Sequence, residues 1–228
     1  MKYIIIGLGS FGASLAQKLT AQGNEVIGID VNMNKVSALK EKITHTICLD
    51  ATDQTTVGGL PLKDTDIIII AIGEDQGANV MSTALMKNFE VKRLISRAIN
   101  PLHENVLQAI GVDEIVHPEE ETAERWAKKL CMSGVHDSFE LNSYFSIVEV
   151  TVPKRFENKT VEEIRFREKY NLLVLTTIKK PKVKTAIGDG KKIMDVQSVA
   201  MPTTILEPHD LVVLYGSNKD IRDFVNSK

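Results

Sequence analysis

The chain has 228 residues, 43% of them hydrophobic and 25% charged, with a formal net charge of −2. That length suffices for one or two domains whose core needs no disulfide or metal to hold it. The near-neutral charge, with lysines and glutamates interspersed, gives no sign of non-specific binding to nucleic acid or a membrane surface. The two cysteines, Cys48 and Cys131, form no C-x-x-C pair and are expected to be buried or half-buried thiols of a reducing compartment. The sequence opens directly in an apolar strand rather than a basic segment with an apolar core, so export is not expected. Its longest apolar run, residues 67–72, is far short of the ~20 residues that span a bilayer.

The first strand, Tyr3-Ile4-Ile5-Ile6, runs into Gly7-Leu8-Gly9-Ser10-Phe11-Gly12, then a helical segment over 14–22 and a second apolar run ending on Asp30. This is G-x-G-x-x-G between strand and helix, with an acid 18 residues after the last glycine. Gly7 permits the tight turn, Gly9 lets backbone approach a pyrophosphate, and Gly12 lets helix and strand pack closely. Phosphates would meet free N–H groups at the helix N-terminus, and Asp30 would accept hydrogen bonds from ribose hydroxyls. An acid there also repels a 2′-phosphate, which disfavours NADP.

Beyond Asp30 the pattern predicts a helix over 34–42, a strand over 44–49, and a short helix capped by Asp53 and ended by Gly58, Gly59 and Pro61. A fourth strand over 66–72 reads as continuous isoleucine, the signature of a parallel strand covered on both faces. A helix over 75–88 follows, with Val80, Ala84 and Leu85 on one side. Strands over 93–97 and 114–116 flank a helix opened by Asn100-Pro101. Six strands separated by helices predict a doubly wound parallel α/β sheet. Gly7–Gly12, Asp30, Asp50, Gly73 and Arg97 then fall together at the strands' C-terminal ends, where such sheets bind ligands.

A helix over 119–132 carries Ala123, Trp126, Ala127 and Leu130 on one apolar face, with Trp126 expected as an interface or core anchor. Residues 133–138 read as a connector. The remainder predicts a small α+β domain: a strand over 146–152, a helix over 161–169 capped by Thr160, and a strand over 172–178. A hairpin at 179–182 into a strand over 183–187, a strand over 211–214 and a terminal helix over 218–224 complete it. The expected domains are residues 1–118, a crossover helix and linker over 119–139, and 140–228.

The sequence resembles a known family. Gly7-Leu8-Gly9-x-Phe11-Gly12, Asp50-Ala51-Thr52 after strand three, Ala71-Ile72-Gly73 after strand four and His117-Pro118-Glu119 after strand six carry the likeness. So does the terminal pattern Pro202, Ile205/Leu206, Asp210, Leu211, Val213, Gly216. Together they are similar to the RCK, or KTN, regulators of potassium conductance: a TrkA-N domain followed by a TrkA-C domain, as in KtrA/TrkA-type cytosolic subunits. The resemblance implies a non-enzymatic sensor of an adenine nucleotide (NAD(H), ADP or ATP). It implies dimers assembled into an octameric ring, on the cytoplasmic face of the membrane, that gate a membrane-embedded potassium-translocating subunit. Nucleic acid is not an expected partner.

The resemblance carries over Gly7, Gly9, Gly12, Asp30, Asp50 and Arg97 as nucleotide contacts; Ser10, Phe11, Ala51 and Gly73 complete the candidate set. Glu119 matches an acid that holds a divalent cation, Ca2+ or Mg2+, between subunits; its alternative is an acid-rich helix N-terminus. Cyclic di-AMP is a further candidate ligand, at Arg165-Phe166-Arg167 through Asn171-Leu172. One departure stands out: ATP-responsive members carry an arginine where this chain has Ser10, which weakens ATP sensing. Ser10 is read either as a phosphate donor or as a helix N-cap, Asp50 as a ligand contact or an Asx turn, and Arg97 as a phosphate partner or an intersubunit ion pair. The alternative function is an NAD-dependent oxidoreductase, which needs an acid–base pair beside the nicotinamide. The Tyr215-x-x-x-Lys219 pair runs from a strand end rather than along a helix and does not supply one.

Overall fold

The computed structural model describes residues 1–131 (the side chain of Lys128 excepted), 134–179 and 195–226, and the chain divides into two compact units, Met1–Glu120 and Glu121–Lys228. In chain order the first unit contains β1 (Lys2–Ile6), α1 (Ser10–Ala21), β2 (Glu25–Asp30), α2 (Met33–Leu39), β3 (His45–Cys48) and α3 (Gln54–Val57). It continues with β4 (Ile67–Ile70), α4 (Gln76–Asn88), β5 (Leu94–Arg97), α5 (Pro101–Ile110) and β6 (Glu114–Val116), and α6 (Pro118–Cys131) spans the boundary. All six strands are parallel, in the order β3-β2-β1-β4-β5-β6. This is the doubly wound, Rossmann-like order, which reverses between β1 and β4.

The isoleucine runs explain why the sheet is covered twice. Ile4, Ile6, Ile68 and Ile70 enter one apolar core, whereas Ile5, Ile67 and Ile69 enter another. Because side chains alternate along a strand, every position of β1 and β4 between these limits must be apolar. Helix ends follow local chemistry. The Asp53 carboxylate accepts from the Thr55 N–H and caps α3 as expected, and Asp75 caps α4 by accepting from the Ala78 N–H.

Helix α4 departs from expectation. Its most buried positions are Asn79, Ser82, Thr83 and Met86, not Val80, Ala84 and Leu85, which are only half-buried. Asn79 and Thr83 are buried within a polar network, whereas the Ser82 hydroxyl has no hydrogen-bond partner among the described residues. Asn79 Oδ1 accepts from Thr83 Oγ1 (3.4 Å), Ser96 Oγ (3.2 Å) and His103 Nε2 (3.2 Å), and the Thr83 and Ser96 hydroxyls lie 3.0 Å apart. An amide oxygen only accepts, so the hydrogen in this contact is on His103 Nε2.

The second unit contains β7 (Val135–Glu140), β8 (Phe145–Thr151), α7 (Val161–Ile164), α8 (Phe166–Tyr170), β9 (Leu173–Lys179), β10 (Asp195–Val199), β11 (Leu211–Ser217) and α9 (Asn218–Asn226). Its strands form an antiparallel sheet in the order β10-β9-β11-β8-β7. One face packs on a core in which Phe156, Phe166, Tyr170 and Phe224 meet with ring centroids 5.1–6.3 Å apart. The fold class read from the sequence holds for both units.

Several local expectations do not. The connector over 133–138 is largely β7, a strand paired with β8; its polar His136-Asp137-Ser138 suits an edge strand, whose sequence carries little apolar signal. The single helix over 161–169 is two short helices, because Arg165 adopts φ 56° between them; Thr160 does cap the first, in a reciprocal capping box with Glu163. Strand β10 has no counterpart in the sequence reading. The hairpin expected at 179–182 and the strand at 183–187 lie outside the described residues, apart from Lys179 in β9. Cys48 and Cys131 are exposed rather than buried, since Cys48 closes the edge strand β3 and Cys131 ends the solvent-facing α6. Among the described residues no helix is long and apolar enough to cross a membrane.

Burial holds the His103 imidazole below its ordinary pKa of 6.5. The unfolded chain therefore takes up this proton first. The stabilising contribution is complete above about pH 6.5 and declines as pH falls toward the folded value. NMR titration should find His103 in the Nε2–H form with a midpoint below 6.5; a midpoint at or above 6.5 would contradict the buried network.

Candidate functional site

A cleft of about 360 Å3 opens at the C-terminal ends of the parallel strands, beside the point where the strand order reverses. Its walls come from Gly7, Gly9, Ser10 and Phe11 after β1, Asp30 at the end of β2, Asp50 and Ala51 after β3, Gly73 after β4, Arg97 at the end of β5, and Glu119. Every expected nucleotide residue except Gly12 lines it. Gly12 lies behind the loop: a Cβ there would collide with the Gly7 carbonyl oxygen and sit 3.1 Å from Ala71 Cβ. Gly7 has φ 99°, and a Cβ on it would meet the Ile72 nitrogen at 2.8 Å. A Cβ on Gly9 would meet nothing within 4 Å, so its absence leaves the loop backbone open to the cleft.

Gly9, not Ser10, is the N-cap of α1, and no side chain caps this helix or places an acid in its first turn. The first-turn N–H groups thus point toward the cleft with the positive end of the helix dipole. The Asp30 carboxylate is 8% exposed; it accepts from the Leu8 N–H at 2.7 Å and the Asn32 N–H at 2.8 Å. A carboxylate has about four acceptor sites, so half remain for a ligand. Asp50 Oδ1 accepts from the Thr52 N–H (2.9 Å) and hydroxyl (2.7 Å). This Asx turn holds the carboxyl below its ordinary value while leaving Oδ2 outside these two bonds. The Arg97 guanidinium pairs with Glu119 within the chain and lies where a Cβ on Gly73 would stand.

The TrkA-N domain family model matches residues 3–118. The chain belongs to the TrkA-N family. Over 223 residues it is 32% identical to the Ktr system potassium uptake protein C of Bacillus subtilis (strain 168), covering 98% of this chain and 95% of that protein. The Ktr system potassium uptake protein A of the same organism is 29% identical over 225 residues, covering 99% and 96%. Among solved structures, the GsuK channel bound to NAD superposes with a TM-score of 0.65 at 16% identity; the match covers all of this chain but only 39% of that longer one. At that identity the likeness shows the fold.

Several residues of the TrkA-N cleft escaped the sequence reading. Lys35, on α2, lies 4.0 Å from Asp30 Oδ2 and 3.7 Å from Glu74 Oε2. Ser82 lines the cleft, and its hydroxyl, like Arg97 Nε, is buried without a hydrogen-bond partner among the described residues. Glu74 directly follows the Ala71-Ile72-Gly73 motif, which could have flagged it; Lys35 and Ser82 lie in helices α2 and α4, away from any motif. Elsewhere, Arg165 and Arg167 are exposed, Phe166 and Leu172 are committed to the second unit's core, and the Asn171 amide donates to Asp220. A larger hollow of about 650 Å3, between α6 residues and β7, is crossed by the Arg125–Asp137 ion pair and contains none of the strand-end residues.

Gly12→Ala should destabilise the first unit by about 1–3 kcal/mol, because the methyl group meets backbone that cannot move aside without opening the loop. Chemical denaturation tests this; unchanged stability would show that the loop relaxes freely around position 12.

Proposed function

We propose that this chain is a nucleotide-sensing regulatory subunit of a membrane potassium-transport system. The observation that carries the reading is a full-length match to Ktr potassium uptake proteins in a chain whose strand-end cleft has the parts of a nucleotide cradle. The uncapped N-terminus of α1 receives phosphate, Gly9 leaves room for it, and the remaining acceptor sites of Asp30 take ribose hydroxyls. Gly7 and Gly12 shape the loop; Ser10, Phe11, Asp50, Ala51, Gly73 and Arg97 line the bound nucleotide. Residues 1–118 act as the nucleotide domain, 119–139 as crossover helix and linker, and 140–228 as the regulatory C-terminal domain, with β7 joining its sheet.

Charge decides among nucleotides. The cleft carries Asp30, Asp50, Glu74, Asp75 and Glu119 against two cations, Lys35 and Arg97, each already beside an acid. A dinucleotide with two phosphate charges suits this balance better than a triphosphate, and Ser10 offers ATP no added cation. NAD(H) is the preferred ligand, with ADP next; the GsuK channel, of like fold, is described bound to NAD. Among the described residues of one chain no cluster of three His, Cys, Asp or Glu could hold a metal ion, so a divalent cation at Glu119 draws its other oxygens from a second copy or from phosphate.

Sensing works by population shift: nucleotide favours whichever ring conformation binds it more tightly, and the membrane subunit follows. The subunit acts at the cytoplasmic face as a ring of dimers. Trp126 and Leu130, 52% and 76% exposed on α6, are its self-association face. The oxidoreductase alternative has less support: the cleft-lining residues include no His, Tyr or Cys, and Tyr215 stacks on Phe145 in the second unit.

A panel of NAD+, NADH, ADP, ATP, NADP+ and cyclic di-AMP tests the ligand by calorimetry. NAD(H) should bind at least tenfold more tightly than ATP or NADP+, a difference of about 1.4 kcal/mol. ATP as the tightest ligand would overturn the charge argument, and turnover with NADH and carbonyl substrates would overturn the sensor. Trp126→Ala should lower the mass seen by light scattering; a mass equal to wild type removes α6 from the interface.

A further inference from the structure

We infer that Asn79, a residue outside the cleft, is the positioning residue that fixes Arg97 against the nucleotide site. The inference rests on the cleft's being that site. The ladder between β4 and β5 ends with the pair Ile70 and Ser96. Beyond it the chains continue as Ala71-Ile72-Gly73 and Arg97-Ala98, and Ala71, Ile72, Gly73 and Arg97 line the cleft. Their carbonyls there have run out of strand partners, and buried carbonyls need one. The Asn79 amide supplies it: its nitrogen donates to the Ile72 carbonyl at 2.8 Å and to the Arg97 carbonyl at 3.2 Å. One side chain thus joins two strand ends where the sheet no longer does.

Both amide hydrogens are spent on these bonds. The amide oxygen is held from the opposite side by Thr83, Ser96 and His103, so the group cannot rotate. Asn79 itself is fully buried, and α4 presents it because Asp75 caps the helix one turn earlier.

The consequence falls on Arg97. Its guanidinium occupies the space over Gly73 that any Cβ would take, is 15% exposed, and pairs with Glu119. Gly73 directly follows Ile72, whose carbonyl Asn79 holds, and the other held carbonyl is Arg97's own. Asn79 therefore sets the spacing between the base of the Arg97 side chain and the surface on which its head rests. Ser96 touches the same network but neither strand-end carbonyl, which makes Ser96→Ala the matched control.

A double-mutant cycle reads the coupling. NAD+ affinity is measured by calorimetry on the full chain for wild type, Asn79→Ala, Arg97→Ala and the double variant. Asn79→Ala and Arg97→Ala should each weaken binding about tenfold, and the double variant no more than Arg97→Ala alone, because a residue acting through Arg97 has nothing left to position. Ser96→Ala should keep wild-type affinity. Multiplied losses, near a hundredfold in the double variant, would assign Asn79 a general structural role and overturn the inference. If Asn79→Ala does not fold, Asn79→Ser, which keeps one donor, should show the same non-additivity with a smaller loss. Hydrogen exchange on ligand-free protein separates this from the nucleotide reading. The Ala98 amide, which donates to the Val116 carbonyl, should exchange at least tenfold faster in Asn79→Ala or Asn79→Ser and not in Ser96→Ala; an unchanged rate overturns the clamp even if NAD+ binds. Failure of wild type to bind any adenine nucleotide sinks the ligand instead, and the exchange rates then decide the clamp alone.

Discussion

The Gly7 carbonyl and the Cα of Gly12 approach so closely that no side chain fits between them. That contact fixes where α1 starts relative to β1, and most of the site follows from it. The turn must close within Gly7–Gly9, so Gly7 takes a positive φ against the Ile72 backbone. The helix begins at Ser10 with its first N–H groups directed over the ends of β1 and β4. The Leu8 N–H is left pointing at Asp30, which locks the end of β2 to the same loop. A short-range steric constraint thus sets three of the cleft's walls, and the dipole of α1 comes with it.

The far wall has a different origin. Past the end of the β4–β5 ladder the two strand ends are joined to each other by the Asn79 side chain, a buried polar group. The Asn79 network spans α4, β5 and α5, and leaving one of its buried groups unpaired costs about 1–3 kcal/mol. Placed on such a support, Arg97 can keep its head against Gly73 and beside Glu119. The Glu119 side chain is 66% exposed, and an ion pair with one partner in solvent contributes about 1 kcal/mol or less, so the pair alone would not hold the arginine in place. The cleft therefore joins a rigid glycine side to a side whose position depends on a polar core.

These two origins explain what the sequence disclosed. The parallel sheet, its order of elements, the Asp53 and Thr160 caps and the strand-end cleft were legible because each leaves a local mark: continuous isoleucine, a glycine spacing, a capping residue before a helix. The Asn79 clamp left none. On a helical wheel Asn79, Ser82 and Thr83 read as solvent-facing, and only the tertiary partners Ser96 and His103 show otherwise. Strands β7 and β10 were missed for a related reason, since edge strands bury one face weakly and can be polar. Ser10 was weighed as a helix cap, but the backbone gives that position to Gly9, which no composition rule distinguishes. The exposed cysteines follow from the same limit: a small apolar residue reads as core until its place at an edge or a helix end is known.

A crystal structure of the full chain with NAD+ tests most directly whether the nucleotide lies across the glycine loop with its ribose at Asp30. The pyrophosphate should lie within hydrogen-bond distance of the first N–H groups of α1, the adenosine ribose hydroxyls on Asp30, and the Arg97 guanidinium still over Gly73. A dinucleotide bound elsewhere, or one whose ribose avoids Asp30, would contradict this placement.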